Sequence, residues 1–126
     1  MKFVIATHGY LADGYVSSIK VLTQKENIYA VNAYVGDTFD VSSQLKDLLD
    51  SFEAKEEVII FTDIMSGSMT QNVSKYLDSK RIRCITGINL PLVLEFVLTV
   101  QKIDDAFIDE TIEAARRQIM YINKYI

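Results

Sequence analysis

The chain has one histidine, His8, in the run Val4-Ile5-Ala6-Thr7-His8-Gly9-Tyr10, where an apolar segment gives way to a turn. An acidic residue, Asp63, occupies the same place after a second apolar segment, Val58-Ile59-Ile60-Phe61-Thr62, and Ile64-Met65-Ser66-Gly67-Ser68 follows it. A neutral imidazole with one nitrogen held by a carboxylate has its other lone pair fixed outward. That nitrogen can attack phosphorus. The phosphoryl oxygens then need N–H and O–H donors, which Ser66, Gly67, Ser68 and Thr7 could supply. Phosphoryl transfer asks mainly for positioning and charge stabilisation, so a site of few groups suffices. Its product would be a phosphohistidine, a labile species suited to onward transfer.

Each residue also has a plainer reading. A histidine after a strand is commonly a surface or structural residue, an aspartate at a strand end commonly caps the next helix, and Ser66-Gly67-Ser68 alone is a turn. Their chemical reading depends on their being brought together. His8, Asp63 and Ser68 superficially form a hydrolase triad, but the order is not that of the α/β-hydrolases and no G-x-S-x-G elbow is present. Neither G-x-G-x-x-G nor G-x-x-x-x-G-K-[ST] occurs, which disfavours a dinucleotide site and a P-loop. One histidine and one cysteine make a His/Cys metal site within one chain an unfavoured reading, and no metal or cofactor is expected. Cys84, inside an apolar strand, reads as a small core residue.

Four strand-like segments must position these residues: Phe3 to Thr7, Ile28 to Val35, Val58 to Asp63 and Ile82 to Ile88. The first and third are nearly continuous apolar runs, as expected of strands covered on both faces. Helix-like stretches separate them, at about Ala12 to Thr23, Val41 to Glu53 and Met69 to Ser79. Asp40 is a plausible cap for the second, and Val73, Tyr76 and Leu77 are expected to face inward from the third. A fourth helix starts at Pro91, a residue favoured in the first helical turn. From Asp104 or Asp105 onward, Ile108, Ile112, Ala115, Ile119, Ile122 and Ile126 recur at spacings of three and four, predicting one helix to the last residue.

The alternation predicts an α/β fold: an open, doubly wound, mostly parallel sheet of order 2-1-3-4, with helices on both faces and a C-terminal helix. Such sheets bind ligands outside the carboxyl ends of the strands, where the strand order reverses. That reversal lies between strands one and three and would set His8 beside Asp63. The other strand ends are Val35-Gly36-Asp37-Thr38 and Gly87-Ile88-Asn89-Leu90-Pro91. The Ser66-Gly67-Ser68 loop leads into a helix, whose positive end suits an anion.

With 126 residues, 49% apolar and 24% charged, the chain reads as a single folded domain spanning 1–126. A net charge of -4 speaks against nucleic acid and anionic membrane surfaces, where a basic patch must neutralise phosphates. No apolar run approaches the roughly 18 residues of a membrane span, and the start reads as lacking a signal peptide. A single cysteine fits a reducing cytoplasm.

Val4-Ile5-Ala6-Thr7-His8-Gly9, Phe61-Thr62-Asp63-Ile64-Met65-Ser66-Gly67-Ser68 and Gly87-Ile88-Asn89-Leu90-Pro91-Leu92-Val93-Leu94-Glu95 together resemble, in order, three motifs of the mannose-family EIIA domains of the bacterial sugar phosphotransferase system. The resemblance spans about residues 3 to 100. It implies a cytoplasmic phosphocarrier in which His8 takes a phosphoryl group from phospho-HPr and passes it to a histidine of an EIIB partner. Asp63 would orient His8, Thr7 and Ser68 would line the phosphoryl pocket, and Asn89, Leu90 and Pro91 would shape its rim. It also implies a homodimer, for which Met120, Tyr121, Tyr125 and Ile126 offer an apolar contact. The family's usual loop has two glycines before the serine and a proline after it, where this chain has Ser66-Gly67-Ser68-Met69. Two other readings share the residues: the phosphotransfer subunit of a dihydroxyacetone kinase system, and a non-catalytic module that binds an anion reversibly.

Overall fold

The computed structural model describes residues 1–36, 40–78 and 80–126. Asp37 and Thr38, assigned above to the end of the second strand, and Ser79, assigned to the end of the third helix, lie outside the described residues. The chain forms two compact units, Met1–Ile88 and Asn89–Ile126.

The first unit runs β1 (Lys2–His8), α1 (Leu11–Thr23), β2 (Ile28–Ala33), α2 (Val41–Asp50), β3 (Val58–Thr62), α3 (Gly67–Ser74) and β4 (Ile82–Thr86). All strand pairs are parallel and the order is β2-β1-β3-β4. The expected topology is the observed one. The register pairs His8 with Ala33, Ala6 with Thr62 and Thr62 with Thr86, so the carboxyl ends of the strands finish along one edge.

The apolar runs have the burial their composition implies: Phe3 to Thr7 and all of β3 are buried. Alternate side chains serve alternate faces. Val4, Ala6, Val31, Ala33, Val58, Ile60 and Ile82 form one cluster with Val41, Leu45 and Leu49 of α2 and Met69 and Val73 of α3. Phe3, Ile5, Ile59 and Phe61 alternate to the other face, where Ala12 and Ile19 of α1 are also fully buried. The chain steps one way from β1 to β2 and back across β1 to β3. With right-handed crossovers this puts α1 and α2 on opposite faces and creates the reversal between β1 and β3.

Polar side chains set the helix ends. Asp40 caps α2, as expected, with Oδ1 accepting from Ser43 N at 3.1 Å. That helix stops at Asp50 rather than Glu53, because the Ser51 hydroxyl donates to Leu48 O at 2.6 Å and competes for a helical carbonyl. Ser66 caps α3, which begins two residues earlier than its apolar pattern suggests. After Ser74 the chain makes tight three-residue turns at Tyr76 and Leu77, and Leu77 is exposed rather than inward. β2 ends at Ala33 because Tyr34 turns to φ +62°.

The second unit holds α4 (Leu90–Leu98), α5 (Asp105–Arg116) and a short 3-10 turn (Ile122–Tyr125). Asn89 ties the two helices: its Oδ1 accepts from Leu92 N at 3.0 Å and its Nδ2 donates to Ala115 O at 2.9 Å. Phe96 and Phe107 meet edge to face at 5.3 Å. The single helix expected from Asp104 to Ile126 is not formed. It ends at Arg116, and Gln118 N and Ile119 N bond three residues back to Ala115 O and Arg116 O. Thr111 and Ala115 are buried, whereas Ile119, Ile122 and Ile126 are exposed. A helical stripe is stabilised mainly by the surface that covers it, and past Ala115 the apolar side chains remain uncovered.

Candidate functional site

His8 is the last residue of β1, and Gly9 at φ +62° turns the chain into α1. Asp63 follows the last residue of the neighbouring β3. Although 55 residues apart in sequence, the two side chains meet: His8 Nδ1 lies 3.1 Å from Asp63 Oδ2 and 3.2 Å from Oδ1. The carboxylate is held by the backbone as well. His8 N donates to Oδ2 at 3.0 Å and Ile64 N donates to Oδ1 at 2.9 Å. Burial pushes the Asp63 carboxyl up, but the hydrogen bonds from His8 N, Ile64 N and the His8 ring outweigh it and hold it below the ordinary carboxylate value. Asp63 is therefore an anion at neutral pH. Its side chain is 13% exposed and that of His8 37%, so the imidazole is open to an incoming group while its partner is sheltered.

With Nδ1 engaged, Nε2 points away from Asp63 and is the nitrogen available for chemistry. The other groups form the start of α3. Ser66 has its hydroxyl in use as the helix cap, accepting from Met69 N at 3.4 Å. Helix geometry leaves the Gly67 and Ser68 amides without an intrahelical acceptor, at the positive end of the helix. The Ser68 hydroxyl is 2.6 Å from the hydroxyl of Tyr34, and the Tyr34 ring stacks on the His8 ring with centroids 5.3 Å apart. Tyr34 thus joins the histidine to Ser68.

Thr7 does not join this group through its side chain. It alternates to the opposite face of β1 from His8, is fully buried, and its Oγ1 has no hydrogen-bond partner among the described protein atoms. Asn89, Leu90 and Pro91 open the second unit. There Asn89 caps α4, and Leu90 and Pro91 line, with Leu94, Leu98 and Ala114, a groove of about 370 Å³.

Two residues at the site escape the motif-based reading. Tyr34 stands one position before the strand-two end considered above, and its one signal is the strand order, which puts the end of β2 directly beside His8. Tyr15, on α1, lies within the field of Asp63: burial raises its phenol pKa and the Asp63 charge adds to the rise, so it keeps its proton. Its hydroxyl donates to Ile88 O at 3.5 Å. Burial also pushes the Cys84 thiol up to about 11 against a hydrogen bond with Thr62, so it is not a nucleophile at neutral pH. Among the described residues no three His, Cys, Asp or Glu side chains are grouped as a metal ion would need, and no helix is long and apolar enough to cross a membrane.

A histidine and an aspartate thus meet at the switch point of a parallel sheet, beside the N-terminus of α3. The family model described as EIIA-man, PTS system fructose IIA component, matches residues 2–115, and the chain belongs to that family. It is an EIIA-type component of a sugar phosphotransferase system. Among solved structures it is similar to a protein from Klebsiella pneumoniae described as a phosphoenolpyruvate-dependent sugar phosphotransferase system permease. The two share 28% identity over 98% of this chain and 92% of that one, at a TM-score of 0.85. It is also similar to the phosphotransferase system component EIIA from Streptococcus agalactiae, at 25% identity, 98% coverage of both chains and a TM-score of 0.79. A mannose/sorbose-specific IIA subunit from Enterococcus faecalis shares the fold, with a TM-score of 0.80 at 13% identity over 96% of this chain and 93% of that one.

Proposed function

We propose that this chain is a mannose-family EIIA phosphocarrier that holds the phosphoryl group on His8 Nε2. The observation that carries the reading is the contact of both Asp63 oxygens with Nδ1 of the chain's one histidine, at 3.2 and 3.1 Å. Nδ1 keeps its proton, shared with the carboxylate. The Nε2 lone pair attacks the phosphorus of a phosphohistidine on HPr. A P–Nε2 bond forms as the donor P–N bond breaks, and the electron pair of the broken bond returns to the donor imidazole. No proton has to move. The positive charge that leaves the donor ring appears on the His8 ring, facing the Asp63 anion. The Gly67 and Ser68 amides and the Ser68 hydroxyl at the start of α3 receive the phosphoryl oxygens. Transfer to a histidine of EIIB is the same step with His8 as the leaving group. The carrier acts in the cytoplasm, as a homodimer to which the exposed Met120, Tyr121, Tyr125 and Ile126 contribute apolar contact.

The test supplies phosphoenolpyruvate and the general phosphotransfer proteins, then records intact mass and the phosphorus NMR spectrum. The wild type is expected to gain one acid-labile phosphoryl group and His8→Ala none. No covalent adduct on the wild type would leave only reversible anion binding, and an adduct surviving in His8→Ala would end the assignment. Discharge by EIIB, but not by the nucleotide-bearing subunit of a dihydroxyacetone kinase, is expected; the reverse would move the chain to that second pathway.

A further inference from the structure

Tyr34 carries three features that a surface residue does not need. It is one of two non-glycine residues among the described residues with positive φ, at +62°. Its ring stacks on His8 at an interplanar angle of 30°, and its hydroxyl sits 2.6 Å from Ser68 Oγ. A bulky side chain occupies the left-handed region only where its surroundings hold it there. Core packing is not what holds it, since the residue is 39% exposed. A glycine would make the same turn without strain. What the strained backbone achieves is to deliver one aromatic ring to two residues of different elements, His8 of β1 and Ser68 of α3.

We propose that Tyr34 is a positioning residue for phosphoryl transfer: its ring fixes the plane of the His8 imidazole, and its hydroxyl donates to Ser68 Oγ so that the Ser68 proton is free for a phosphoryl oxygen. The proposal rests on the reading of His8 as the phosphoryl acceptor. Asp63 holds the imidazole by one edge, and such a hydrogen bond resists sliding of the ring better than tilting about the bond. A contact on the ring face supplies the missing restraint, and in-line attack by Nε2 depends on that tilt. The direction of the hydroxyl pair follows from acidity. A serine hydroxyl has one proton to give, and the phenol is the more acidic partner, so the bond runs from Tyr34 to Ser68. Accepting it polarises the Ser68 O–H and strengthens its own donation. Tyr34 need not touch the phosphoryl group to act on it.

The experiment compares wild type, Tyr34→Phe and Tyr34→Gly in the full chain, with kcat and donor KM for phosphoryl transfer and the 15N spectrum of the His8 imidazole. Tyr34→Phe keeps the face contact and removes the donor. It is expected to lower kcat by about three- to tenfold, the worth of one neutral hydrogen bond, with KM and the imidazole signals unchanged. Tyr34→Gly removes both contacts at a φ that glycine accepts. It is expected to lower kcat further and to shift or broaden the Nε2 signal. Wild-type kcat in both variants, or a raised KM with unchanged kcat, would overturn the proposal and leave the carrier reading intact. Should wild type take up no phosphoryl group, the carrier reading fails. The positioning role in transfer then falls with it, whatever the imidazole spectrum of Tyr34→Gly.

Discussion

Replacing Asp63 by asparagine tests the site most directly, because the shape stays and the charge goes. In the native chain the carboxylate accepts from His8 N at 3.0 Å, from Ile64 N at 2.9 Å and from the His8 ring at 3.1 Å. An amide has one accepting oxygen, and its NH2 must face one of these N–H groups. One donor is left without an acceptor, at a cost of about 1–3 kcal/mol in stability. The effect on transfer is separate. A hydrogen bond to a charged group contributes about 1.5–3 kcal/mol, which corresponds to roughly 10- to 150-fold in rate if it is made fully only when the His8 ring becomes positive. The His8 side chain is 37% exposed, so solvent screens part of this and the low end, roughly tenfold to thirtyfold, is expected. Rapid-quench measurement of transfer from labelled phospho-HPr gives the rate, and circular dichroism and urea unfolding give the stability. An Asp63→Asn protein that is folded, less stable by the stated amount and as fast as wild type would refute the orienting role. Unchanged stability would show that the backbone contacts to the carboxylate carry no weight.

Two further predictions concern the fold. The Asp63 carboxyl is held below its unfolded value, so its contribution to stability is complete above that value and is lost as pH falls through the depressed folded one. The gap in thermal midpoint between wild type and Asp63→Asn should narrow as pH falls below about 4; a gap that does not narrow there would contradict the assignment. Leu45, fully buried in the cluster of α2 with β1 and β2, should cost about 2–5 kcal/mol when replaced by alanine, measured by urea unfolding. A loss well under 1 kcal/mol would mean that α2 does not close that face of the sheet.

Much of the arrangement is legible locally. Continuous apolar runs between turn residues mark β1 and β3, Asp40 marks the start of α2, and Pro91 marks the start of α4. The two strand ends that carry His8 and Asp63 stand out because a polar, reactive residue follows an apolar run at each. Tyr34 is not legible in this way. Nothing in its own identity signals a left-handed turn, and its two partners are distant in sequence. Thr7 is misleading for a local reason: adjacent residues on a strand face opposite sides, so being next to His8 separates their side chains. The stripe beyond Ala115 shows the limit of periodicity. Spacing states which side chains share a face of a helix, not whether anything covers that face.

Composition and pattern by themselves determine the alternation of strands and helices and hence a parallel sheet, because covered strands and amphipathic helices differ in their period of apolar residues. They also determine that the chain has a single imidazole. Only the tertiary structure decides what that imidazole meets. The parallel register brings Asp63 to His8 across 55 residues, and a strained turn after β2 lays Tyr34 on the ring. Both depend on which strands are neighbours and on backbone angles at single residues, and neither is encoded in the preferences of the residues that meet.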